Sequence, residues 1–440
     1  MSNNLLARWS LAIWVVSFAS ALTCYGQTPG TVPPSAEAPP SVNNPPAEGT
    51  AGSDTSDVVM ANNAFALDLY SRLANQPGNL FFSPYSIESA LAMTSAGARG
   101  QTAEQMSQVL HLRGAPEAVH GGFAALMHNL NAGQHSTEES LHDVMKEGVP
   151  YQLFVANSLW CQQGYPFRDD FLKIAHDQYG ASPNQVDFAR EAESARQQIN
   201  AWVARQTQDK IENLVPPKTI DSSTRLVLAD AIYFKGHWHV EFDKSKTQAK
   251  PFHVGSNQST SASMMNVQDD LGYAEAPDLQ ILELPYFAQQ MSLVILLPKQ
   301  VDGLLKLERS LSPARISQFL GQMQSRQVNV FLPKFKLTSE FNLGDTLQAM
   351  GMTEAFSPQA DFSGISTSSS LYIGFVLHKA YVNVDEEGTE AAAATAIGMM
   401  MGIMRPPPPP IVFRADHPFL LLIRHNQTGT ILFMGRLTSP

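Results

Sequence analysis

Apolar and polar positions along this chain repeat with two different periods, and each change of period marks an element. Between Asp57 and Leu73 the residues Val58, Ala61, Phe65, Leu69 and Leu73 recur at helical spacing, predicting a helix that ends before Gly78. Ser83-Pro84 then offers a cap and a first-turn proline for a second helix, Tyr85 to Ala96. Thr102 and Gln105, ahead of an apolar run, read as a capping box. Helical spacing returns at Asp169 to Gln178, Glu191 to Gln206 and Asn342 to Met350. Short dense apolar runs predict strands at Leu153 to Leu159, Arg225 to Phe234, Leu279 to Leu284, Met291 to Leu297 and Val328 to Leu332. Two more close the chain, Phe419 to Ile423 and Thr430 to Leu437. Helices gathered early and strands gathered late make an α+β fold.

The N-terminus departs from both periods. Arg8 precedes an apolar stretch from Trp9 to Leu22, and Ala19-Ser20-Ala21 offers a cleavage site, so residues 1–26 read as a secretory signal. Lipid attachment at Cys24 is the weaker alternative, because Ala21-Leu22-Thr23 is a poor lipobox. Residues 27–56 follow as a tether, with seven prolines between Pro29 and Pro46 and only Glu37 charged there. Such a stretch cannot bury enough apolar surface to order itself. The folded domain is expected over residues 57–440, without a second linker or an internal repeat. No later segment is apolar over the length that a membrane span requires.

Composition removes several functions. The 440 residues carry 29 Lys+Arg against 40 Asp+Glu, a net charge of −11, with no basic block to attract phosphate backbones. Two cysteines, Cys24 and Cys161, make neither a disulfide scaffold nor a CxxC site, and Cys161 reads as a small buried hydrophobe. GxSxG, HExxH, Walker A and Rossmann patterns are missing. His237 and His239 share a strand face without a third ligand, and the acid pairs Asp269-Asp270 and Asp385-Glu386 read as solvated carboxylates. No catalytic residue, metal or cofactor is expected.

One segment resists such an account. Asp385-Glu386-Glu387-Gly388-Thr389-Glu390 leads into Ala391, Ala392, Ala393, Ala394, Thr395 and Ala396. Ile397-Gly398, three methionines, Gly402-Ile403-Met404-Arg405 and the prolines 406–410 follow. Propensity favours a helix for the alanines, but the downstream glycines and prolines leave it nothing to pack against. With period two, Thr389, Ala391, Ala393, Thr395 and Ile397 share one face that could slip into a sheet, while the other face is small enough to tolerate water. The segment can be loop or strand, and that makes a switch.

With these residues the chain resembles the serpin family. The hinge Glu386 to Ala394 is the pattern of inhibitory members, and Phe413-Arg414-Ala415-Asp416-His417-Pro418-Phe419 matches the C-terminal signature. Asn79 to Ile87, Ala90 to Met93, Gly97-Ala98-x-Gly100-x-Thr102 and Leu228 to Trp238 match in order. Hinge and C-terminal region resemble the clade B-like serpins that inhibit elastase- and chymotrypsin-like enzymes. The resemblance implies helices packed around a large central sheet, further sheets, and an exposed reactive-centre loop at about residues 386–412.

It also implies a function: a secreted (extracellular or periplasmic) monomeric suicide-substrate inhibitor whose partner is a serine protease. The protease forms an acyl-enzyme with the loop, and the freed hinge enters the central sheet as an extra strand. A non-inhibitory carrier or binding serpin, and a cross-class inhibitor of cysteine proteases, are the alternatives. A glycosaminoglycan site is not expected, because Arg113 and Lys146 face Glu117, Glu138, Glu139, Asp143 and Glu147 in the region concerned. Ser83, Ser86 and His378 fall in the family's sheet-opening cluster, with Asp230 where an Asn is usual, which suggests pairing with a protonated His378. Trp238, Lys334 and Glu386 match the region where the loop first enters, the last two as an ion pair. Family spacing from Gly388 puts the residue before the cut at Gly402, giving Gly402-Ile403. Met401 suits a medium apolar pocket better, Met404 is a third choice, and Pro406 obstructs a cut after Arg405. The expected target is elastase-, chymotrypsin- or subtilisin-like.

Overall fold

A computed structural model describes residues 55–140, 151–181, 183–368, 371–389 and 409–440. The expected signal, the tether, the hinge residues Glu390 to Ala394 and the bait Met401 to Met404 lie outside the described residues. Everything described belongs to one compact unit, Pro45–Pro440.

The helices are α1 (Ser56–Leu73), α2 (Pro84–Ser95), α3 (Gly100–Val109), α4 (Pro116–Ser140), α5 (Asp169–Tyr179), α6 (Phe188–Gln206), α7 (Leu304–Arg309), α8 (Pro313–Gly321) and α9 (Gly344–Met350). The first strands are β1 (Leu80–Phe82), β2 (Tyr151–Gln162), β3 (Pro183–Val186), β4 (Leu226–His237), β5 (Gln248–Gly255), β6 (Gln258–Ala276), β7 (Leu279–Pro285) and β8 (Met291–Pro298). The remainder are β9 (Gln324–Pro333), β10 (Phe335–Asn342), β11 (Leu377–Val384), β12 (Gly388–Thr389), β13 (Ile411–Arg414), β14 (Phe419–His425) and β15 (Ile431–Leu437). The architecture is α+β, but helices and strands interleave instead of separating into an early and a late half.

Ser83 caps α2 as expected: its Oγ accepts the Ser86 amide at 3.2 Å, and Pro84 occupies the first turn. The capping box at Thr102 does not form. Its hydroxyl accepts the Asp361 amide at 2.9 Å, and Gln105 Oε1 accepts the Glu354 amide at 2.7 Å. Both side chains fasten the 353–361 segment to α3, because that distant backbone supplied donors that α3 did not need.

Two sheets carry the molecule. One runs β1-β15-β14-β8-β7-β6-β9-β13 with β5 paired to β6; the other runs β10-β11-β12-β4-β2-β3. In the second sheet β4 and β11 run parallel and touch over only four residue pairs, His378–Tyr381 against Asp230–Tyr233. Pleating splits β4 between two cores. Ile232 and Phe234 face the main core with α2 and β15. Val227, Ala229, Ala231 and Tyr233 face a second core with Ile199 and Val203 of α6. The face that the alternation left to water is therefore covered by a helix.

Candidate functional site: the hinge seat between β4 and β11

The chain leaves β11 at Val384, turns, and comes back as β12. Asp385 N–H donates to Gly388 O at 2.9 Å and closes the turn, and Asp385 Oδ1 accepts the Glu387 amide at 3.0 Å. The two residues of β12 then lie between β11 and β4, antiparallel to both: Thr389 pairs with Val384 and Gly236, and Gly388 pairs with His237. Glycine is required here. Gly388 has φ +150°, and a Cβ on it would stand 2.1 Å from Gly236 O. Thr389 is fully buried, and its Oγ1 lies 2.9 Å from the Tyr286 hydroxyl.

The turn before β12 is held from three sides. Trp238 N–H donates to Glu387 O at 3.0 Å and its Nε1–H to Asp385 O at 2.9 Å, while its ring stacks on Tyr286 at 4.7 Å. Phe242 N–H donates to Glu386 O at 2.8 Å. The Glu386 side chain, 6% exposed, takes the Lys334 ammonium at 2.5 Å and the Thr247 hydroxyl at 2.8 Å. Burial works against its charge, but those donors outweigh it and hold the carboxyl below its usual range. Lys244 pairs with Glu387, which raises the lysine's own pKa. Burial pushes Asp385 up. The acid pair Asp385-Glu386 is thus built into the turn, not left solvated.

Of the residues singled out in sequence, Trp238, Lys334 and Glu386 meet here. Tyr286, Thr247, Phe242 and Lys244 were missed. They belong to the segment between β4 and β5 and to the residue just after β7, both far from the hinge in sequence, and only the fold brings them there.

Below this seat, where β4 and β11 touch, lies the second cluster. Ser86 Oγ donates to Asp230 Oδ1, and Ser83 Oγ donates to Leu432 O at 2.6 Å. Ser83 N–H donates to His378 Nε2 at 3.0 Å, and His378 Nδ1 stands 3.6 Å from Asp230 Oδ2. The two residues expected to pair, Asp230 and His378, are thus brought side by side, and both are buried. Cys161 is buried on β2 and its thiol is pushed up to about 12, as for a small hydrophobe.

Comparison with known proteins agrees with this geometry. A family model described as "Serpin (serine protease inhibitor)" matches residues 60–440. An uncharacterised serpin-like protein of Thermococcus kodakarensis is 41% identical over 383 residues, 87% of this chain and 86% of that protein. The leukocyte elastase inhibitor of Xenopus laevis is 41% identical over 385 residues, covering 86% and 97%. Among solved structures, uncleaved ovalbumin superposes with a TM-score of 0.72 at 32% identity, covering 87% of this chain and 100% of that one.

Proposed function

The chain belongs to the serpin family, and we propose that it is a secreted suicide-substrate inhibitor of serine proteases with elastase-, chymotrypsin- or subtilisin-like specificity. The observation that carries this reading is β12: the first two hinge residues are seated between β4 and β11, and the residues that follow, Ala391 to Ala394, are small enough to continue.

In this reading the protease serine attacks the carbonyl of Met401 or Gly402 (Met404 is the third candidate), expels the new amino terminus and forms an acyl-enzyme. The chain from Glu390 onward then extends β12 downward. About 15 residues at roughly 3.3 Å each carry the bound protease some 50 Å along the sheet. The serpin supplies no catalytic group. It supplies a gap, a hinge without bulk, and a latch made of Ser83, Ser86, Asp230 and His378. As β12 lengthens, its register with both neighbours sets Thr395 opposite Asp230 and His378, so one hydroxyl reaches the latch it has parted. Similarity to the leukocyte elastase inhibitor and the apolar bait support the choice of target. The apolar stretch Trp9 to Leu22 with Ala19-Ser20-Ala21 supports export.

The test mixes purified protein with elastase-, chymotrypsin-, subtilisin- and trypsin-like proteases, followed by a denaturing gel and mass spectrometry of the released C-terminal peptide. A band at the summed mass is expected with one of the first three, and the peptide's first residue identifies the bond. Cleavage without a complex in every lane would overturn the reading.

A further inference from the structure

Tyr286 follows β7 at the joint of the two sheets. It pairs with Trp238, just beyond the end of β4, and its N–H donates to Met291 O at 2.9 Å. The ring is fixed on three sides. It stacks on Trp238 at 4.7 Å with 11° between the planes, and it meets the Phe234 ring edge-to-face at 4.9 Å. It also lies over Gly236, where a Cβ would stand 3.0 Å from Tyr286 Cδ1. The phenol is fully buried, and its hydrogen-bond partner is the hydroxyl of Thr389 at 2.9 Å. A residue anchored in the first sheet thus reaches into the second and touches the hinge.

The pair reads register. Gly236 leaves room for the ring and is also the residue that pairs with Thr389. A slip of one residue would turn Glu390 to the core, and a slip of two would set Ala391 against the phenol. On the period-two face Thr389 carries a hydroxyl, whereas Ala391 and Ala393 carry methyls, so either slip leaves Tyr286 without its partner. A buried hydroxyl left alone is costly, while two apolar groups of the same shape in place of such a pair cost little.

We propose that Tyr286 is a positioning residue of the hinge: through Thr389 it pins β12 in register in the uncut chain and fixes the point from which the sheet is extended. The pin is a property of the intact chain; its use in trapping rests on the inhibitory reading above. A strand begun from two seated residues has its first pairings made before the loop is cut. Without the pin those pairings open, and insertion starts late in its race with hydrolysis.

The experiment first follows hydrogen exchange in the intact chain by mass spectrometry. It reads the peptides that contain the Trp238 and Asp385 amides, which bond to Glu387 O and Gly388 O at the seat. It then measures the ratio of complex to cleaved chain with the protease that the gel assay identifies. Tyr286→Phe and Thr389→Val each leave one hydroxyl buried alone. Exchange is expected to quicken about fivefold or more in each, and cleaved chain to gain on complex several-fold, with the rate of attack on the loop unchanged. The chain carrying both substitutions is expected to return to within about twofold of the unaltered exchange rate, because no hydroxyl is then left alone. Thr389→Ser keeps the hydroxyl and is expected to rescue in the same way. Two residues that only fill the core would instead show losses that add. Additive or absent effects on exchange overturn the pin. Unchanged exchange beside normal trapping sinks the pin alone. The expected exchange pattern without complex from any chain, the unaltered one included, sinks the inhibitory reading and leaves the pin standing.

Discussion

Placing one charge in the path of the hinge is the sharpest test of the trap. In the intact sheet Ala380 and Ile232 are direct neighbours, both fully buried. The register of β12 sends Ala393 between them, facing the main core. In Ala393→Arg an unpaired guanidinium would have to enter that space. The effective penalty for an uncompensated buried charge is about 3 kcal/mol or more. Charged against the insertion barrier, this slows insertion by roughly 150-fold. The bait is untouched, because Ala393 precedes Met401 by eight residues, roughly 26 Å of extended chain. Trapping is a race between insertion and hydrolysis of the acyl-enzyme, so the outcome changes from complex to cleaved chain while the rate of attack on the loop stays the same. A denaturing gel with the target protease, with band intensities followed in time, reads both quantities. Equal complex yields from Ala393→Arg and the unaltered chain would refute the register, and the insertion argument built on it.

Other outcomes follow from the hinge seat and the helices behind it. Gly388→Ala puts a methyl 2.1 Å from Gly236 O at a φ of +150°, a conformation that costs about 1–3 kcal/mol before the clash, so β12 should leave the sheet; faster limited proteolysis around residues 385–389 checks this. Lys334→Ala leaves the buried Glu386 carboxylate without its ammonium partner, and the same proteolysis should accelerate. The carboxyl of Glu386 is held below its ordinary value of 4.5, so its contribution is present above that pH and is lost as pH falls through the depressed value. Glu386→Gln should flatten that acid limb in a heat-stability profile. Glu88 on α2 has the opposite sign. It is fully buried, neither oxygen has a hydrogen-bond partner, and burial raises its pKa. The folded state keeps a proton that the unfolded chain releases above 4.5, so stability declines as pH rises past that value, and Glu88→Gln should remove the slope.

What the sequence revealed and what it hid divide along physical lines. Local rules found α1, α2 with its Ser83 cap, and the apolar strands, because those signals are self-contained. They failed at Thr102 and Gln105, where distant backbone donors outcompeted the local cap. The long hairpin of β5 and β6 escaped because its outer half is mostly exposed and polar, and its order comes from pairing. The hinge was legible as an ambiguity between loop and strand, but its seat was not, since β12 needs the edges of two strands more than a hundred residues apart in sequence. The alternation put Thr389 on the face that enters the sheet, and it is buried there beside Tyr286. It gave no sign that α6 covers the opposite face of β4.

The brief parallel contact between β4 and β11 has a thermodynamic meaning. Four slanted residue pairs are what the intact sheet holds at its centre, whereas a full strand laid between the same edges would make two antiparallel ladders in their place. In the inhibitory reading, an intact chain built this way is a kinetic product, halted short of a deeper basin. A heating curve of the uncut protein then records how fast it escapes, not how far it lies below the unfolded chain, and its midpoint moves with the scan rate. Substitutions that tighten the core and those that preserve the trap need not be the same ones, since a chain relaxed to its lowest state has no work left to do on a protease.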